Sequence, residues 1–154
     1  MNNKISNIDS SILDDLITGR VEPYIYAFST NTIPNYLKVG DTYRPVDTRI
    51  NEWKKLFPNL VKEFSAPARI DNNTIFRDYA VHSFLIDERG RERLLPSTYS
   101  NIVYYSKEFF KNATIKDLND AIIDIQKSAS ENSGKYQQYT TKRLPITFIY
   151  KRNL

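Results

Sequence analysis

The chain has 154 residues, 40% of them hydrophobic and 26% charged, with a formal net charge of +4 and no cysteine. That length suits one domain with a sizeable core, and the lack of cysteine excludes disulfides, thiolate metal sites and cysteine nucleophiles. No apolar run approaches the ~20 residues of a membrane span, and the polar opening from Met1 to Asp9 lacks a signal peptide's apolar segment, so a cytoplasmic location and no membrane partner are expected.

Ser10 and Ser11 precede Ile12, Leu13, Leu16 and Ile17, and Gly19 follows, the pattern of a short capped helix. Tyr24 to Phe28 is rich in strand-forming residues, and Tyr36 to Gly40 is a second short strand after the turn at Pro34-Asn35, so the two read as a hairpin. Pro45 opens a helix in which Val46, Ile50, Trp53 and Phe57 recur at helical spacing until Pro58. Leu60 to Ala68 alternates as a third strand. A helix is expected over about Thr74 to Ile86, with Ile75, Asp78, Val81, His82 and Leu85 along one stripe.

Glu88 to Arg93 is charge-rich and expected at the surface, and Ile102 to Tyr105 reads as a short strand. Thr114 with Asp117 forms a capping-box start for a helix carrying Ile115, Leu118, Ala121, Ile122 and Ile125. Ser128 to Gln138 reads as a polar linker, and Ile146 to Tyr150 as a last strand-like run. The order predicts an α/β fold: a small, mostly antiparallel, three-stranded sheet flanked by helices. The organisation expected is an N-terminal helical appendage over 1–20, one domain over 21–127, and a linker with a strand-like segment over 128–154 leading toward a further domain. Val46, Ile50, Trp53, Phe64, Val81, Leu85 and Leu118 are the expected core.

Several polar residues stand where a bland fold would place something else. Arg49 borders the apolar stripe of its helix, where it either snorkels to water or serves a ligand. Asp78 lies on an apolar stripe and so needs an ion-pair partner such as Arg49 or Lys38, a hydrogen bond or a metal. His82, the single histidine, shares that stripe as a satisfied core residue or a catalytic one. Lys38 alternates with Leu37 and Val39, either guarding a strand edge or supplying charge. The mild basic excess permits nucleic-acid binding without requiring it.

Taken together and in order, these residues resemble the GIY-YIG nuclease superfamily, most closely its phage-type branch of short domains. Tyr24-Ile25-Tyr26 stands where that family has Gly-Ile-Tyr, and Lys38-Val39-Gly40 where it has Tyr-Ile-Gly. Gly40-Asp41-Thr42 with Arg49 looks like its next motif, Asp78-Tyr79-Ala80-Val81-His82 its Glu-x-x-Leu-His, and Glu108-Phe109-Phe110 its Glu-Trp-Phe. The resemblance spans roughly Val21 to Ile125, with Lys38 replacing a tyrosine and Asp78 a glutamate.

What the resemblance implies is a DNA endonuclease domain using Mg2+ or Mn2+, fused in the full-length protein to a helicase or restriction-type domain. Asp78 would hold the metal. Tyr26 would take a proton from the attacking water, with Lys38 beside it, since a free tyrosine of pKa about 10 is a poor base. Arg49 would clamp the phosphate, His82 would join the catalytic set, and Tyr24, Thr42 and Arg44 would contact substrate. Tyr26, Arg49 and Asp78 are expected in one groove on an open sheet face. Two other readings stay open: a non-cutting DNA-binding module of the same fold, and a protein-interaction domain.

Overall fold

The computed structural model describes residues 23–71, 74–95, 107–136 and 140–142. The helix expected near Ser10 to Gly19 and the strands expected at Ile102 to Tyr105 and Ile146 to Tyr150 lie outside them.

Strands β1 (Tyr24–Ser29) and β2 (Tyr36–Thr42) form the expected antiparallel hairpin, in which Tyr26 faces Gly40 and Phe28 faces Lys38. Asn35 turns the chain in the left-handed region, with φ of 69°. Strand β3 (Val61–Pro67) pairs antiparallel with the other side of β1, with a register shift at Ala27 and Phe28. A fourth strand, β5 (Phe109–Lys111), pairs antiparallel with β2, so the sheet runs β3-β1-β2-β5 and has four strands instead of the expected three. Three residues are too few to show an alternation, which is why β5 has no signature in the sequence.

The helix expected from Thr74 begins later. Thr74–Phe76 is strand β4, paired antiparallel with β6 (Thr140–Lys142), and helix α2 covers only Asp78–Asp87. Ile75 falls in phase with the α2 stripe by coincidence, and its backbone is drawn into pairing by a segment remote in sequence. Helix α1 (Val46–Trp53) starts after Pro45, and Phe57 follows it in a turn, still buried. Helix α3 (Ile115–Ser130) has the full capping box: Thr114 Oγ1 accepts from the Asp117 amide at 3.1 Å and Asp117 Oδ2 from the Thr114 amide at 3.0 Å. It runs past Ser128, where the polar composition suggested a linker, because Ser128 and Tyr136 are buried and Tyr136 donates to Asp124.

The sheet pleat divides the core in two. Ile25, Ala27, Leu37 and Val39 face α2 and α3, packing on Val81, Leu85, Leu118 and Ile125. Tyr26 and Phe28 face α1, packing on Ile50, Trp53, Phe57 and Phe109. In that second layer Phe28 meets Trp53 at 5.7 Å and Phe109 edge-on at 6.1 Å between ring centroids. Each such buried side chain contributes about 1.5–3 kcal/mol relative to exposure. Of the expected core, Val46 and Phe64 are only partly buried and the rest are fully so. No helix among the described residues is long and apolar enough to cross a membrane.

Candidate functional site

Helix α1 packs on one sheet face and α2 and α3 on the other, so among the described residues neither face is left open along the β1–β2 core. The polar residues gather instead at an edge. Strand β5 lies beside β2 only from Tyr36 to Lys38 and stops there. The freed backbone of Val39 is completed by other groups: its amide donates to the Glu108 carbonyl at 2.8 Å, and His82 Nε2 donates to its carbonyl at 2.7 Å.

On the α1 side of this edge the Tyr26 hydroxyl oxygen accepts from Lys38 Nζ at 2.9 Å and from Trp53 Nε1 at 2.7 Å. Tyr26 and Lys38 are each 1% exposed. The lysine ammonium also lies 4.2 Å from the Trp53 ring centroid and 4.8 Å from that of Tyr26, where the negative ring faces attract it. Arg49 stacks on Trp53 at 4.9 Å and donates to Glu52 at 3.0 Å. Gly40, directly across from Tyr26, makes this packing possible. A Cβ at Gly40 would fall 2.7 Å from Lys38 Nζ and 3.1 Å from the Tyr26 hydroxyl.

On the α2 side Asp78, His82 and Glu108 each offer a ligand atom, all within 4.8 Å of one another. Asp78 is the first residue of α2. Its amide donates to Asp41 Oδ2 at 2.8 Å, so a β2 carboxylate caps the helix in place of a local side chain. Arg77 pairs with the same Asp41 at 2.7 Å. Burial raises the Asp78 carboxyl well above the usual range, and the charge of Asp41 and a hydrogen bond with Glu108 add to the effect. Burial also acts to raise Glu108, but the Lys38 ammonium at 2.6 Å overrides it and holds that carboxylate low. Burial lowers His82 to about 4, so its ring is neutral near pH 7. With the proton on Nε2, Nδ1 keeps the lone pair.

The two halves form one chain of contacts: Tyr26 to Lys38, Lys38 to Glu108, Glu108 to Asp78. The structure thus brings together Tyr26, Lys38, Arg49, Asp78 and His82. Three other expected residues stand apart. Tyr24 is two residues along β1 and partly exposed; Thr42 is buried and its hydroxyl accepts from the Arg44 amide at 3.0 Å, a turn-fixing role; Arg44 is tied to Glu52. Sequence reasoning named Glu108 only as part of a motif and gave it no role, and it missed Trp53 as a donor to Tyr26. The helical spacing that puts Trp53 one turn after Arg49 was the available signal. Glu108 had none beyond the motif, because its place depends on where β5 begins.

Two carboxylates and a neutral imidazole fixed by a backbone carbonyl fit a divalent first-row ion. Comparison with protein-family models, with curated proteins and with solved structures finds no match.

Proposed function

We propose that this chain is a GIY-YIG-type endonuclease domain that hydrolyses DNA phosphodiester bonds with Mg2+ or Mn2+, working in the cytoplasm as part of a larger DNA-processing protein. The observation that carries this reading is the Tyr26 oxygen, on which Lys38 Nζ and Trp53 Nε1 converge beside the Arg49 stacked on Trp53, joined through Glu108 to the Asp78 and His82 cluster. An oxygen surrounded by N–H donors is suited to carry negative charge and then receive a proton.

In this reading Tyr26, as the phenolate, takes a proton from the attacking water. The water oxygen bonds to phosphorus as the bond to the leaving sugar oxygen breaks. Lys38 and Trp53 hold the accepting oxygen in place, and Arg49 offsets charge on the phosphate. Asp78, Glu108 and His82 would hold the cation, which when bound stabilises charge on the phosphate and the leaving oxygen.

A second reading, a DNA-binding module that does not cut, is favoured by one observation: Tyr26 at 1% and Asp78 at 5% exposure leave little room for water at the base. Nicking of supercoiled plasmid with Mg2+ or Mn2+, with and without EDTA, separates the two. Asp78→Asn is the accompanying variant. The neighbours of Asp78 include two carboxylates, and an amide can replace the protonated acid against Glu108. The variant is expected to melt at the wild-type temperature and to lose metal-dependent nicking. Wild-type protein that never nicks sinks the catalytic reading, and undiminished nicking by Asp78→Asn sinks the metal assignment.

A further inference from the structure

Beside the Tyr26 site, α1 carries a carboxylate in an unusual position. Arg44 grips Glu52 through both ends of its guanidinium, Nη1 to Oε2 at 2.7 Å and Nη2 to Oε1 at 2.5 Å. Arg49 Nη1 reaches the same Oε1 at 3.0 Å. Two guanidinium groups therefore converge on one carboxylate, and the Arg44 hydrogen bonds, ahead of those from Arg49, hold Glu52 down at about 2. The turn that carries Arg44 is pinned by the Thr42 hydroxyl, and Arg49 is pinned on the Trp53 ring. The Arg44 backbone and the Arg49 side chain are thus fixed independently of Glu52, whose carboxylate, among the described residues, bonds these two arginines and is 36% exposed.

A planar fork that binds a carboxylate through two parallel N–H···O bonds fits two oxygens of a phosphate equally well. Arg49 bonds Glu52 and stacks on the Trp53 ring that donates to Tyr26, so an anion in the place of the Glu52 carboxylate would lie near the proposed scissile position. We propose that Glu52 is an internal stand-in for a backbone phosphate. It keeps Arg44 and Arg49 converged and preformed while nucleic acid is absent, and a phosphodiester displaces it to occupy the Arg44–Arg49 seat. This inference rests on the phosphodiester reading above and adds Glu52 as the competitor of the phosphate at Arg44 and Arg49. Displacement is cheap because an exposed ion pair is screened by solvent and contributes little.

The test uses the whole chain, EDTA, and a short fluorescein-labelled DNA duplex, with anisotropy read across a salt series. Glu52→Gln is expected to tighten binding by about fivefold at low salt, since the competitor and its repulsion are both removed. Asp47→Asn serves as the charge-matched control. Asp47 lies on the same helix but pairs outward with Lys62 at 3.0 Å, and it should leave affinity within about twofold. Adding Arg44→Gln to Glu52→Gln should erase the gain and flatten the salt dependence by about one phosphate contact. Unchanged or weaker binding by Glu52→Gln, or an equal gain from Asp47→Asn, overturns the proposal while salt-dependent wild-type binding keeps the nucleic-acid reading. No salt-dependent binding by any of these proteins removes the nucleic-acid reading itself, and the proposal with it.

Discussion

The two sides of the site differ in charge and in what holds them. On the α1 side Lys38, Arg49 and Arg44 bring positive charge, and the arginines reach solvent. On the α2 side the Glu108 carboxylate brings negative charge beside a neutral His82 and an Asp78 carboxyl that burial keeps protonated, and Asp78 and His82 are both buried. One side is suited to an anion and the other to a cation, and they meet where Lys38 pairs with Glu108. The difference teaches that neither half is explained by itself: Lys38 needs a counter-charge in its buried position, and Glu108 would be pushed up by burial without it.

Breaking that joint should have the largest effect. Lys38→Met removes the buried ammonium, strips Tyr26 of a donor and leaves Glu108 uncompensated. A loss of about 3 kcal/mol is expected in urea unfolding, near the low end for breaking a buried pair because Glu108 is partly exposed. Unchanged stability would mean that the two halves are independent.

The α2 side alone is probed by pH. Burial pushes His82 down to about 4, below the ordinary imidazole value of about 6.5, so its contribution is fully present above pH 6.5 and is lost as pH falls toward 4. The loss should approach about 3 kcal/mol across that window. Metal-free wild type and His82→Gln, unfolded at pH 7 and pH 4, should differ by this amount in their pH dependence. Parallel pH profiles would show that burial of the ring is relieved in solution.

The α1 side is probed by Gly40→Ala. The new methyl would crowd Lys38 Nζ and the Tyr26 hydroxyl, so a loss of about 1–2 kcal/mol is expected, with displacement of Lys38 from Tyr26. A crystal structure of the variant with the 2.9 Å contact intact would contradict the tight-packing account. The smallest effect lies outside both halves: Thr114→Ala should cost about 1 kcal/mol through loss of the α3 cap and leave the site unaltered.

What the sequence disclosed was mostly local. The β1–β2 hairpin, the Arg49 and Trp53 helix and the Thr114 cap could be read because each depends on neighbours a few residues away. The strand at Thr74–Phe76 and the fourth strand at Phe109–Lys111 could not, since both arise from pairing with distant segments. The site followed the same division. Tyr26, Lys38 and Arg49 were visible, whereas the role of Glu108 depends on β5 beginning beside Lys38. Thr42 was expected at the substrate and instead fixes a turn, because a hydroxyl two residues before an amide commonly closes on it.

The shortness of β5 also bears on the order of folding. The hairpin that apposes Tyr26 and Lys38 closes a small loop, while Glu108 reaches Lys38 only after a long excursion of chain has been gathered in. Loop-closure entropy puts the hairpin first and the docking of β5 late. The hairpin that carries Tyr26 and Lys38 is therefore expected to form before the acidic neighbour of Lys38 docks, so the counter-charge is the later arrival.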